Sequence, residues 1–171
     1  MKEQRDEEFT SFVVERGAAL LRTACLMTGD RQHGEDLVQT TLAKAYGAWS
    51  KVRRADEPMA YVRRIMVNAH LSRLRRFMSG EQVIEVVPDR GTGDTQSAHA
   101  DRDEMRRALL QLSPRVRTAV VLRYFEDLSE AETARVMGCS TSTVNNHVSK
   151  GLAALRALLT PETTPTSGRT A

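Results

Sequence analysis

The chain has 171 residues, 27% of them charged and only 5% aromatic, with 25 Lys and Arg against 22 Asp and Glu. That length suits one or two domains with real cores, and no run approaches the ~20 apolar residues that a membrane helix needs. Cys25 and Cys139 stand far apart with no CxxC and no Cys/His cluster, which argues against a disulfide framework or a zinc site and for reduced thiols in the cytoplasm. The opening MKEQRDEEF is charged and lacks an apolar centre, so no signal peptide is expected.

Residues 7–28 carry Phe9, Phe12, Val13, Leu20, Leu21, Cys25 and Met27 at mostly helical spacing. Gly29-Asp30 closes that helix and opens the next. Over residues 35–49, Val38, Leu42, Ala45 and Trp49 form one inward stripe, and Glu35, Asp36, Leu37, Gln39 and Lys44 fall outside it. An outward leucine beside acids suggests a protein-binding surface. Pro58 suits the first turn of a third helix, which runs to about residue 77. Its inward stripe reads Val62, Ile65, Met66, Ala69 and Phe77, and its opposite side Arg64, Asn68, Leu71 and Arg75.

That third helix concentrates charge. Lys51, Arg53, Arg54, Arg63, Arg64, Arg73, Arg75 and Arg76 face only Asp56 and Glu57, an excess of six against a net +3 for the chain. Clustered arginine is the electrostatic footprint of a nucleic-acid surface. Tyr61 adds an aromatic ring able to stack on an unpaired base. Residues 78–101 then turn to Gly, Pro, Ser and Thr with acids at Glu81, Glu85, Asp89, Asp94 and Asp101, the composition of a tether. Beyond residues 102–112, Ser113-Pro114 opens a helix marked by Val116, Val120 and Tyr124.

Residues 127–156 carry the most specific local signal. Ser129 and Glu132 make a capping box, Gly138 suits a left-handed stop, and Ser140 or Thr141 can cap a second helix. Val144, Val148, Leu152, Leu155 and Leu159 give that helix an apolar stripe, and Ala134 is small where two helices must nearly touch. Two helices around a short glycine-containing turn form a helix-turn-helix. Ser142, Asn145, Asn146, Ser149 and Lys150 face away from the stripe and are side chains that reach base edges and phosphates. The tail after residue 160 is too polar and proline-rich to fold.

The expected fold class is therefore all-α: two small helical domains at 1–78 and 102–159, a flexible acidic linker at 79–101, and a disordered tail at 160–171. No phosphate loop, metal-ligand spacing or Ser/His/Asp arrangement is visible, so no cofactor, no metal and no enzymatic activity are expected.

In combination, order and spacing, these segments resemble the extracytoplasmic-function (ECF) sigma factors of bacterial RNA polymerase. The resemblance covers roughly residues 9–159 and rests on GEDLVQTTLAKAYGAW, PMAYVRRIMVNAHLSRLRR and LLQLSPRVRTAVVLRYFEDLSEAETARVMGCSTSTVNNHVSKGLAALR. It implies a cytoplasmic factor that binds core RNA polymerase and directs transcription initiation from promoters with −35 and −10 elements. Glu35, Asp36, Leu37, Gln39 and Thr40 match the segment that docks on the clamp helices of the largest subunit, and region 4 meets the flap. Asn68 matches the asparagine beside the loop that captures a flipped −10 base, with Tyr61, Arg64 and Arg75 around it. Ser142, Asn145, Asn146, Ser149 and Lys150 match positions facing the −35 element.

The chain departs from the family at several points. Tyr61 stands where tryptophan is usual, Ser72 replaces an aspartate, Asn145 and His147 replace basic residues, and Gly151 replaces an alanine. The family's connector threads toward the polymerase active site, so the acids of residues 81–101 are expected to mimic a strand's charge. An anti-sigma factor is a further candidate partner. The terminal Thr170-Ala171 resembles the small C-terminal tags gripped by ATP-dependent proteases, a candidate degradation signal. The alternatives are a conventional helix-turn-helix regulator that acts without polymerase, and an all-α adaptor that binds no DNA.

Overall fold

The computed structural model describes residues 1–80 and 97–160, all helix and connecting turns. The chain order is α1 (Lys2–Thr28), α2 (Arg31–Gly47), α3 (Trp49–Val52), α4 (Pro58–Met78), α5 (Ser97–Leu110), α6 (Pro114–Val120) running into a π-helical turn (Val121–Phe125), α7 (Glu130–Met137) and α8 (Thr141–Leu159). The tether acids Glu81, Glu85, Asp89 and Asp94, and Thr170 and Ala171, lie outside the described residues. Helix α5 begins at Ser97, inside the stretch read as linker.

The first half is a bundle of α1, α2 and α4, with α3 as a corner. Gly29 ends α1 at φ 95, donating its N–H to the Cys25 carbonyl at 2.8 Å. Asp30 then caps α2, accepting from the His33 N–H at 2.8 Å. The two helices approach so closely at Gly34 that a β-carbon there would lie 2.6 Å from Cys25 Sγ. Phe9 and Phe12 stack edge-on against Trp49, with Phe9 also meeting Tyr46 at 5.1 Å between centroids. Such offset aromatic pairs add to their area burial.

Three sequence expectations are corrected here. Leu37 does not face outward: it is 3% exposed, because α2 starts at Arg31 and turns Gly34, Leu37, Thr41 and Ala45 onto α1 and α4. Val38 and Leu42 are half-buried beside that stripe. In α4, Leu71 is buried and Phe77 is 40% exposed, the reverse of their assigned sides. Covered on several sides, α4 buries Val67, Ala69, His70 and Leu71 in nearly continuous sequence, so no single stripe describes it. Tyr124 is 52% exposed. The Glu126 N–H bonds the Val121 carbonyl at 3.1 Å, an i to i+5 step that puts an extra residue in the turn and rotates Tyr124 outward.

The second half holds α5 to α8. Gly151 of α8 is packed so tightly on α6 that a β-carbon would stand 2.4 Å from a Val120 methyl. Ala108, Leu109, Leu112, Val116, Val120 and Leu155 form the core of this half, with Leu26 of α1 packed against it. A larger core spans both halves, joining Leu20, Met27, Met66 and Val67 to Val121, Leu122, Ala134 and Val144.

Candidate nucleic-acid interface

The helix-turn-helix is built as its caps dictate. Ser129 accepts from the Glu132 N–H at 3.1 Å while the Glu132 carboxylate accepts from the Ser129 N–H at 2.7 Å. The Ser129 N–H holds the Glu132 carboxyl below the usual carboxylate range. Gly138 closes α7 in the left-handed region at φ 67, and the Cys139 N–H returns to the Ala134 carbonyl at 3.0 Å. Ser140 caps α8 through the Thr143 N–H at 3.1 Å. Val144, Val148, Gly151 and Leu155 then face inward.

This packing leaves Ser142, Asn145, Asn146, Ser149 and Lys150 all exposed along one side of α8. Among the described residues only Asn145 of that group makes a side-chain hydrogen bond to another helix: its Nδ2 donates to Glu130 Oε2 of α7 at 3.3 Å. His147 lies at the other edge, half-buried, its pKa lowered by burial and by the nearby charges of Lys150 and Arg115. Arg115 was not a candidate from the sequence. It sits in the first turn of α6, and only the folding of α6 against α8 brings its charge to Cys139 and His147.

The α4 candidates are arranged differently. Arg64, Asn68 and Arg75 are exposed, with Arg75 donating to Ser72 Oγ at 3.0 Å. Tyr61 is half-buried against the shared core. With Arg64 it lines a groove of about 530 Å³ whose far wall is Leu128, Glu132, Arg135 and Val136 of the helix-turn-helix. Beside this groove Arg63 pairs with Glu126 at 2.6 Å, and Glu126 also accepts from the Thr23 hydroxyl. Both partners of the ion pair are mostly buried, at 16% and 13% side-chain exposure.

A second contact joins the halves near the end of α1. Arg117 of α6 is 7% exposed, donates to the Leu112 carbonyl at 3.3 Å, and lies against Gly29. Burial lowers its pKa. His70 is buried nearby, and burial, with Arg117 and Arg73, pushes its pKa down to about 4.

Of the α2 candidates, Glu35, Asp36, Gln39 and Thr40 are exposed on one surface, and Glu35 pairs with Arg31 at 2.7 Å. Leu37 is beneath that surface, not on it. Among the described residues no group of His, Cys, Asp and Glu is placed to hold a metal ion, and no helix is long and apolar enough to cross a membrane.

Comparison with known proteins matches both halves. The family described as Sigma-70 region 2 matches residues 12–77, and the family described as Sigma-70, region 4 matches residues 102–155. The RNA polymerase sigma-E factor of Streptomyces avermitilis is 37% identical over 149 residues, covering 87% of this chain and 83% of that protein. The ECF RNA polymerase sigma factor SigM of Mycobacterium tuberculosis is 31% identical over 144 residues, covering 82% and 71%. Among solved structures, the sigma factor RpoE from Bartonella quintana, in complex with the anti-sigma factor NepR, superposes with a TM-score of 0.67 at 25% identity. It covers 90% of this chain and 97% of that one.

Proposed function

The chain belongs to the ECF sigma factors of the sigma-70 family, and from that premise we propose how its residues divide the work of promoter-specific transcription initiation. The observation that carries the division is the pairing, in one chain, of an exposed Arg64–Asn68–Arg75 surface on α4 with an exposed polar face on a fully capped recognition helix. Ser142, Asn145, Asn146, Ser149 and Lys150 read the −35 element, the asparagines through base edges and Lys150 through phosphate. Tyr61, Arg64, Asn68 and Arg75 hold the opened −10 strand, with Asn68 bonding a flipped base and the arginines its backbone. Glu35, Asp36, Gln39 and Thr40 dock on the clamp helices of the polymerase largest subunit, with Leu37 supporting that surface from within. Region 4 meets the flap.

The domain limits 1–78 and 102–159 belong to the same reading, as do the cytoplasmic location and the absence of any catalysis by the chain itself. The complex of RpoE with NepR supports an anti-sigma factor as a further partner. Turnover by an ATP-dependent protease through Thr170 and Ala171 stays a proposal on sequence alone. A conventional helix-turn-helix regulator has no use for a sigma region 2, so that alternative is not favoured.

Run-off transcription with core polymerase, with and without the chain, on DNA from the producing cell tests this function. Promoter-specific transcripts that depend on the chain are expected. Asn68→Ala should lose more activity on duplex promoters than on pre-melted templates. Transcripts independent of the chain overturn the reading.

A further inference from the structure

The two edges of the recognition helix are electrically unlike. On one edge Lys150 and Arg115 put positive charge on the side of His147, a setting for phosphate. On the other edge stands Glu130, the first residue of α7, beside Asn145. A carboxylate at this edge repels a phosphate backbone, so its position needs a reason.

An acid in the first turn commonly serves the helix dipole. Here the Ser129–Glu132 box already satisfies that end of α7. The Glu130 carboxylate instead reaches across the turn to α8, where Asn145 Nδ2 donates to Oε2 at 3.3 Å. A carboxylate only accepts hydrogen bonds, so the amide must turn its nitrogen, not its oxygen, toward Glu130. This contact selects one of the two orientations open to an exposed asparagine.

We propose that Glu130 is a positioning residue for promoter recognition: by accepting one Asn145 N–H it aims Oδ1 and the remaining N–H at a base edge, selecting adenine. The donor and acceptor left on the amide match N7 and N6 of adenine, the usual bidentate partner of asparagine. Guanine offers two acceptors, N7 and O6, and sets O6 against the fixed Oδ1. Without Glu130 the amide is free to turn and offer N–H groups to guanine. The inference rests on the −35 assignment of α8 made above.

The test uses holoenzyme assembled from core polymerase and the full chain, transcribing a promoter library randomised through the −35 element. The wild type should prefer adenine over guanine at one base pair. Glu130→Ala should cut that ratio by about fivefold or more while preferences elsewhere persist. Glu130→Gln, whose amide donates as well as accepts and so permits either orientation of Asn145, should also lower it. In an Asn145→Ala background, Glu130→Ala should change the ratio no further. Glu130 is exposed and the capping box does not use it, so these variants keep the fold. An unchanged ratio in Glu130→Ala, a ratio kept in full in Glu130→Gln, or an equal effect without Asn145 overturns the proposal. A wild-type holoenzyme with no promoter selection at all overturns instead the functional reading beneath it.

Discussion

Helices α8 and α4 both carry DNA-reading candidates, yet they present them in opposite ways. Helix α8 is capped at Ser140, buries Val144, Val148 and Leu155, and leaves its polar face free apart from the Asn145–Glu130 bond. Helix α4 shares its surface with the other half of the molecule. Arg63 is held by Glu126, Tyr61 is half-buried, and Arg64 looks across a groove toward Glu132 and Arg135. The recognition surface of α8 lies on the side of its helix away from the core that both halves share, and so is left exposed. A surface on a central helix is shaped by whatever packs around it.

The largest expected effect comes from the corrected residue. Leu37→Ala should lower stability by about 2–5 kcal/mol, as buried leucine truncations do, measured as a shift of the denaturant midpoint. A native midpoint together with weakened polymerase binding restores Leu37 to the docking surface.

The contact that distinguishes α4 from α8 should come next. Arg63→Ala strands the Glu126 carboxylate among mostly buried groups and should cost about 3 kcal/mol. The exchanged pair Arg63→Glu with Glu126→Arg should recover part of it. An alanine variant as stable as wild type means that the halves do not hold this contact in solution.

The same junction should respond to acid. Buried His70, beside Arg117 of α6 and Arg73 of its own helix, with Asp30 and His33 lining the adjoining pocket, titrates at about 4 when folded. An unfolded histidine titrates near 6.5. Between these values the unfolded chain binds the extra proton, so this contribution is complete above pH 6.5 and is lost as pH falls toward 4, by roughly 3 kcal/mol. His70→Gln should flatten that part of the stability–pH curve, followed by thermal melts from pH 7 to 4. An unflattened curve removes His70 as the cause.

On the free surface, effects should be on recognition and not on folding. Asn146→Ala should change which −35 sequences are transcribed, by about 1–3 kcal/mol at one position. Lys150→Ala should weaken all promoters alike and reduce the salt dependence. Competition transcription on a promoter panel separates the two. The smallest effect belongs to the α2 surface: Asp36→Ala should weaken polymerase binding by about 1 kcal/mol with a native circular dichroism spectrum. Unchanged affinity removes Asp36 from the dock.

The sequence by itself determined the parts whose physics is local. Ser129 with Glu132, Gly138 and Ser140 specify caps within a few residues of themselves, so the helix-turn-helix and its outward face were readable in advance. Gly29-Asp30 and Pro58 were readable as boundaries for the same reason. Leu37, Leu71 and Phe77 were misplaced because a single apolar stripe describes a helix with one covered side, and α2 and α4 are covered on more than one. Only the tertiary structure decided that Arg63 meets Glu126, that Arg115 stands beside His147, and that Glu130 reaches Asn145. Each of those contacts joins residues on different elements, and their geometry is set by how helices pack, which no local spacing encodes.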